Sequence, residues 1–176
     1  MGIYVDDHTS APGIVGLIQK HGETVIQIRG AFDPFVHEGH IDFIRRARDL
    51  VVRPAIIANV NNDAWEERRK RKPYRSEIKR AIRLAEEDMV DYVFVHPSYD
   101  IHPGVALAIL AKPNIIVRED KSYEGKNDSL IVEEEIELLL QGLGYAPDFR
   151  ILPRSKYEVS NTELIRMIEE RAKGLA

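Results

Sequence analysis

The chain has 176 residues, of which 44% are hydrophobic and 31% are charged, and its formal net charge is −4. This length allows one domain with a full hydrophobic core and is too short for two substantial domains. A mildly acidic chain has no general positive field for nucleic acid, and the absence of cysteine excludes disulfide bonds and thiolate chemistry.

The first residues carry no signal for export or membrane insertion. Residues 1–8 contain no basic segment followed by an apolar core, and no apolar run in the chain approaches the roughly 20 residues that span a bilayer. We therefore expect a cytoplasmic protein without a membrane partner. Apolar residues between 14 and 18 predict a short helix that ends at Gly22. We interpret residues 1–22 as an N-terminal extension that packs on a single domain formed by residues 23–176.

The first strong strand signal, Thr24–Arg29, leads directly into a turn-forming segment and an amphipathic helix. Residues 30–40 read Gly-Ala-Phe-Asp-Pro-Phe-Val-His-Glu-Gly-His and bring His37 and His40 to the start of that helix. Backbone N–H groups and the positive end of the helix dipole favour anions at such a junction, and Gly39 lets a ligand approach the main chain closely. The segment predicts a phosphate site.

Strand and helix patterns alternate along the rest of the chain. The predicted strands are 54–60, 91–95, 114–117 and 149–152, and the predicted helices are 76–87, 105–111, 129–143 and 161–173. This alternation predicts a Rossmann-like three-layer α/β/α fold with a parallel sheet of about five strands. Ligands of such sheets bind beyond the carboxyl ends of the strands, where strand order reverses. The polar segment 121–128 is our candidate for a lid or substrate loop.

Capping and zinc binding are alternatives to phosphate binding at the two histidines. The histidines could simply cap and pack the helix, although Gly39 between them offers no side chain for packing. They could bind zinc together with His96 or His102, although no cysteine and no His-Glu-x-x-His pattern supports such a site. Asp33 could bind magnesium or substrate, or it could satisfy backbone donors in the turn.

Residues 30–40 resemble the G-T-F-D-x-x-H-x-G-H signature of the HxGH nucleotidyltransferase superfamily, with alanine in place of the usual threonine. The resemblance implies that His37 and His40 contact the phosphates of a nucleoside triphosphate and stabilise charge as pyrophosphate leaves. It assigns substrate binding to Asp33. It assigns nucleotide binding to Gly30, Ala31, Phe32 and Gly39.

A second segment, residues 153–166, is similar to the R-T-E-G-I-S-T-T or S-S-T-x-I-R segment that closes the active site of this superfamily. Ser160, Asn161 and Thr162 lie at a predicted helix start, where they could cap the helix or hold β- and γ-phosphates. The resemblance favours nucleotide binding. Arg154 matches the catalytic arginine of the cytidylyltransferase form, with one more residue between it and the serine.

A third segment resembles the part of glycerol-3-phosphate and related cytidylyltransferases in which an Asp ends the second strand, a lysine-rich loop follows, and Y-x-S-x-x-x-R opens the next helix. Asp63, Tyr74 and Arg80 fall on this pattern, and the resemblance implies that they bind substrate. The loop lysines of the family correspond to Arg69, Arg71 and Lys72, which would neutralise phosphates in catalysis. The basic run 68–72 is also typical of a solvated face or a nucleic-acid patch.

Together these resemblances imply transfer of a nucleoside monophosphate from a nucleoside triphosphate onto a small phosphorylated acceptor, with release of pyrophosphate. The basic loop and Arg154 favour CTP, whereas the pattern at residues 160–166 also suits ATP-dependent transfer to phosphopantetheine, nicotinamide mononucleotide or an FMN-type acceptor. The family implies Mg²⁺ and a homodimer. A non-catalytic nucleotide- or RNA-binding module is the alternative of another class, although we expect no nucleic-acid partner.

Overall fold

The computed structural model describes residues 1–69, 72–98, 100–120, 137–155 and 161–174. Within these residues six strands form one parallel sheet, in the order β1-β4-β3-β2-β5-β6. The strands are β1 (Ile3–Val5), β2 (Thr24–Gly30), β3 (Pro54–Val60), β4 (Tyr92–Val95), β5 (Ile115–Glu119) and β6 (Asp148–Leu152). Most residues of β2 and β3 are buried on both faces, as expected for strands that helices cover on two sides.

Helices cover both faces of this sheet. They are α1 (Ala11–Lys20), α2 (Glu38–Arg48), α3 (Asp63–Arg69), α4 (Glu77–Ala85), α5 (Pro103–Ala111), α6, which is described over residues 137–142, and α7 (Asn161–Gly174). Leu107 of α5 packs with Ile57 of β3 on one face, and Ile44 of α2 packs with Ile26 of β2 on the other. The predicted three-layer α/β/α fold with a parallel sheet is confirmed. Among the described helices, none is both long and apolar enough to cross a bilayer.

The sheet contains one strand more than the approximate five that we expected. Strand β1 lies in the segment interpreted as an extension, and it pairs with the edge of β4 from Ile3–Tyr92 to Val5–Phe94. The backbone before β1 approaches Val90 so closely that it requires glycine at position 2. A Cβ atom there would lie 2.2 Å from the carbonyl oxygen of Val90. A three-residue edge strand is too short to show an alternating pattern in the sequence. The predicted short helix is present as α1.

Helix α3 replaces part of the segment that we expected to be a loop. The Trp65 N–H donates to Oδ1 of Asn62 over 2.8 Å, and this bond satisfies one of the first backbone donors of the helix. Asp63 and Glu66 lie in its first turn, where carboxylates interact favourably with the helix dipole. The first two residues of the basic run therefore belong to a helix end rather than to a loop.

Strand order reverses at β2, which has β3 on one side and β5 on the other. The connection from β2 to β3 runs through α2 on one face, and the connection from β4 to β5 runs through α5 on the opposite face. β2 pairs with β5 at Ile26–Ile115 and Gln27–Ile116, whereas β5 continues to pair with β6 as far as Glu119. The carboxyl ends of β2 and β5 therefore diverge and frame a crevice.

Candidate active site

The turn that leaves β2 is shaped around the ring of Phe32. Phe32 has a φ of 51°, which is unusual for a residue other than glycine, and it is 2% exposed. A Cβ atom on Gly30 would lie 3.2 Å from Cε2 of the Phe32 ring, so the absence of a side chain at Gly30 leaves room for this ring. The ring also lies 5.0 Å, between centroids, from that of His40. Packing thus stabilises a strained backbone beside the histidines.

His37 and His40 are stacked at the start of α2, with ring centroids 3.9 Å apart. Nδ1 of His37 accepts the Gly39 N–H over 3.1 Å, and Nδ1 of His40 accepts the His37 N–H over 3.4 Å. Because each Nδ1 acts as an acceptor, the neutral form of each ring carries its hydrogen on Nε2. The capping function that we weighed as an alternative is present, and it sets both rings as Nε2–H donors at a helix N-terminus.

Three residues separate Asp33 from His37, one more than the signature has. Asp33 is 3% exposed, and its two carboxylate oxygens accept the N–H groups of Tyr74 over 2.9 Å and of Arg75 over 3.0 Å. These donors lie about forty residues further along the chain, so Asp33 fastens the segment before α4 to the histidine turn. Its contact with substrate stays a prediction.

Arg80 is buried beneath the same turn. Its guanidinium donates to the carbonyl oxygens of Ala31, Arg75 and Asn61, and it forms an ion pair with Asp63 over 2.7 Å. All of these oxygens belong to the protein, so the structure shows Arg80 as a clamp that joins the turn to the carboxyl end of β3. Substrate binding by Arg80 and Asp63 stays a prediction, as it does for the half-exposed Tyr74.

The end of β6 reaches the crevice from the other side. Arg46 of α2 donates to the carbonyl oxygen of Pro153 over 2.6 Å, and the Ser155 N–H donates to Oε1 of Glu119 over 2.8 Å. Arg154 lies between these two attachments, at the same edge of the sheet as the histidines. The structure therefore holds the predicted arginine segment against α2 and the end of β5.

Some of the predicted site residues lie outside the part of the chain that the structure describes. Arg71 and Ser160 lie outside the described residues, as do the whole candidate lid or substrate loop at 121–128 and the first half of the helix predicted at 129–143. Arg69, Asn161 and Thr162 have a described backbone, in α3 and α7, without a described side chain. Lys72 is described and exposed. The roles of these residues remain predictions.

The described residues include no group of three or more His, Asp or Glu side chains arranged to hold a metal ion. The ring of His96 contacts His8 at 4.7 Å, and the ring of His102 contacts Trp65 at 5.0 Å. Partial burial lowers the pKa of His96 from 6.5 to about 4, and the neighbouring His8 adds to this lowering.

The sequence interpretation missed a group of polar side chains on the α5 face of the sheet. Gln27 donates from Nε2 to the carbonyl oxygen of Gly104 over 2.6 Å, beneath the first turn of α5. Asn59 of β3 is fully buried on the same face. An asparagine and a glutamine inside otherwise apolar strands are the signal that the sequence offered for them.

The family described as Cytidylyltransferase-like matches residues 28–168. Bifunctional protein HldE of Nitratiruptor sp. is 31% identical over 111 residues, which cover 62% of this chain and 22% of HldE. Ethanolamine-phosphate cytidylyltransferase of Mus musculus is 47% identical over 53 residues, which cover 30% of this chain and 13% of that protein. The chain thus spans less than a quarter of the length of either relative.

A solved structure, the lipopolysaccharide core biosynthesis protein from Thermoplasma volcanium, has a TM-score of 0.60 at 22% sequence identity. The likeness covers 77% of this chain and 98% of that one, and at this identity it shows the fold alone. The family match covers most of the chain, including the histidine turn, the basic segment and the segment around Arg154. The chain belongs to the cytidylyltransferase-like family.

Proposed function

We propose that this protein is a nucleotidyltransferase that transfers a nucleoside monophosphate, with CTP as the favoured donor, onto a small phosphorylated acceptor. The observation that carries the proposal is the stacked pair His37 and His40, whose Nδ1 atoms are both held by backbone N–H groups at the start of α2. Two adjacent Nε2–H donors and a helix N-terminus suit a cluster of phosphate oxygens.

The main obstacle to this reaction is repulsion between two polyanions. Unit charges about 4 Å apart repel by about 1 kcal/mol in water and by several-fold more in a drier site. Donors held in advance at the leaving phosphates stabilise the charge that develops there, without rearranging during the reaction. His37 and His40 would act on the departing pyrophosphate, and Lys72 and Arg154 would add positive charge around it.

The acceptor phosphate is already anionic at neutral pH, so it needs no general base to attack the α-phosphorus. Its bond to phosphorus forms as the bond to the pyrophosphate oxygen breaks, and the pyrophosphate leaves with the electron pair. Mg²⁺, which the family implies, supplies charge neutralisation when bound to the triphosphate. The described residues offer no carboxylate cage for it, and Asp33 uses both oxygens on backbone donors, so phosphate oxygens and water would provide most of its ligands.

The choice of CTP rests on similarity rather than on a described contact with a base. The relative from Mus musculus is named as a cytidylyltransferase, and Arg154 matches the arginine of that form. An ATP-dependent transferase is the nearest alternative, since the predicted pattern at 160–166 suits both. We also propose a cytoplasmic homodimer, whose assembly light scattering on the purified protein would test.

The deciding experiment measures pyrophosphate release with each of the four nucleoside triphosphates, Mg²⁺ and a panel of phosphorylated acceptors. The wild type, His40→Ala and His21→Ala are compared, because His21 is an exposed histidine at the far end of α1 and serves as a matched control. We expect turnover with CTP that His40→Ala loses and His21→Ala keeps. Absence of turnover in every combination, or equal turnover in all three proteins, would reject the proposal, and tight RNA binding in that case would favour a binding module.

A further inference from the structure

Two side chains from different elements hold the main chain on either side of Arg154. Nη1 of Arg46, on α2, donates to the carbonyl oxygen of Pro153 over 2.6 Å. Oε1 of Glu119, the last residue of β5, accepts the Ser155 N–H over 2.8 Å. Strand β6 has already ended at this point, so these two bonds lie beyond the hydrogen-bond ladder of β5 and β6.

The two bonds act on the backbone dihedrals of Arg154. A peptide unit is planar, so a residue has only two soft backbone dihedrals, φ and ψ. The Pro153 carbonyl belongs to the peptide unit before Arg154, and the Ser155 N–H belongs to the peptide unit after it. Holding both units restrains φ and ψ of Arg154, and thereby the direction in which its side chain leaves the main chain.

The two holding side chains also interact with each other. Nη2 of Arg46 lies 3.6 Å from Oε1 of Glu119, the same oxygen that accepts the Ser155 N–H. Nε of Arg46 lies 3.0 Å from Oδ2 of Asp42, one turn earlier in α2. The three side chains are 15–28% exposed, and salt screens partly buried ion pairs less than exposed ones. The guanidinium that holds Pro153 is therefore itself held from two sides.

Helix α2 connects this arrangement to the stacked histidines. Arg46 follows His40 by six residues, which corresponds to about 9 Å along a helix. Groups carried by a regular element keep their separation better than groups on loops. One helix thus carries His37 and His40 at its start and binds the main chain next to Arg154 from its side.

We infer that Arg46 and Glu119 are positioning residues that hold Arg154 in register with His37 and His40 for the triphosphate; this inference rests on the proposed function. Groups that are held in advance stabilise developing charge without rearranging during the reaction. Arg46 and Glu119 do this through the main chain of Arg154, so neither side chain has to touch the nucleotide.

The first test measures kcat/KM for CTP in the pyrophosphate-release assay, with the acceptor of the panel that gives the fastest turnover. We expect Arg46→Met and Glu119→Leu each to lose about tenfold, because a misplaced charge stabilises the departing pyrophosphate less well. Glu119→Gln still offers an oxygen to the Ser155 N–H and should keep at least about half of the wild-type value. Arg45→Met, at the exposed neighbouring position of α2, is the matched control and should equal the wild type.

The second test asks whether both residues act through Arg154. Arg46→Met and Glu119→Leu are each combined with Arg154→Ala, and kcat/KM for CTP is measured again. Each should now add less than about twofold to the loss in Arg154→Ala, because no arginine is left to position. A further tenfold loss in that background would overturn the inference, since it would show that the residues act on the fold in general.

The third test, amide hydrogen exchange without ligand, needs no turnover. The Ser155 amide should exchange slowly in the wild type and in Glu119→Gln, and about tenfold faster or more in Glu119→Leu, while the amides of β6 stay protected. Fast exchange at Ser155 in the wild type would overturn the inference whatever the assays show. Slow exchange that Glu119→Leu abolishes, in a protein without turnover for any nucleotide, would uphold the positioning of Arg154 and reject the proposed function instead.

Discussion

Nη2 of Arg80 donates to Oδ1 of Asp63 over 2.7 Å, across 17 residues of sequence, and the guanidinium is completely buried whereas the carboxylate is about one-third exposed. The same guanidinium reaches three backbone carbonyl oxygens, at Ala31, Asn61 and Arg75. One cation thereby joins the histidine turn, the end of β3 and the segment before α4. The geometry of the proposed phosphate site depends on this clamp.

Replacing Arg80 by Met should destabilise the protein by about 3–5 kcal/mol, because it leaves buried acceptors without their donor. Urea denaturation followed by circular dichroism measures this change. Arg83→Met is the matched control in the same helix, since Arg83 is half-exposed and pairs with Glu86 at the surface, where ion pairs contribute little. Equal stability of Arg80→Met and the wild type would contradict the clamp.

The cap that His37 forms on α2 and the phosphate donation that we propose for its Nε2 can be separated by substitution. Asn is a good N-cap residue, so His37→Asn should keep the stability of the wild type, whereas His37→Ala should lose about 1 kcal/mol. Both variants should lose turnover by about a hundredfold, because alanine has no donor and the shorter amide of asparagine does not reach the position of the His37 Nε2 hydrogen. Denaturation and pyrophosphate release are measured on the same samples. Full activity in His37→Asn would show that only the cap matters.

Asp33→Asn tests whether this carboxylate fastens the chain or binds magnesium. The variant places an amide donor against a backbone N–H, so we expect a loss of about 1–3 kcal/mol in stability. Proteolysis should become faster in the segment around Tyr74, whose N–H loses its acceptor. The Mg²⁺ concentration that gives half-maximal turnover should stay unchanged. An increase in that concentration, with unchanged stability, would identify Asp33 as a metal ligand instead.

The lowered pKa of His96 predicts a dependence of stability on pH. Between about 4, its folded-state pKa, and 6.5, its ordinary value, the unfolded chain binds a proton that the folded protein does not. The contribution of His96 is therefore fully present above pH 6.5 and is lost as the pH falls toward 4. With allowance for partial exposure, it amounts to about 1–2 kcal/mol between about pH 7 and about pH 5.

Urea denaturation near neutral pH and about two pH units lower checks this prediction. His96→Asn should reduce the difference in stability between the two pH values, because asparagine does not titrate. His21→Asn, at an exposed site, should leave the difference as in the wild type. If His96→Asn leaves the pH dependence of stability unchanged, His96 is not the group that causes it.

Gly2→Ala should displace β1 from the sheet, because its Cβ atom would lie 2.2 Å from the Val90 carbonyl oxygen. We expect a loss of about 1–3 kcal/mol and faster amide hydrogen exchange at residues 3–5. Gly16→Ala is the control, since a Cβ atom there meets nothing within 4 Å and alanine favours the helix. Slow amide exchange at β1 in Gly2→Ala would show that the edge of the sheet accommodates the added methyl group.

Local sequence was sufficient for the alternating strands and helices and for the histidine turn. Residues 24–48 form a strand, a turn and a helix from neighbouring residues, so their hydrophobic periodicity and the His37–His40 spacing are visible without knowledge of distant contacts. The same holds for α1 and for the parallel sheet that the alternation implies.

Long-range packing set the features that the sequence patterns left open or missed. Asp33 accepts hydrogen bonds from backbone groups 41 and 42 residues later in the chain, and Arg80 donates to a carbonyl oxygen 49 residues earlier. Strand β1 pairs with β4, nearly ninety residues later. Asn59 reads as an ordinary polar residue until three strands and α5 bury it. Hydrogen-bond partners and burial are properties of segments that meet only in the folded chain, because no local pattern records which distant backbone groups a side chain will face.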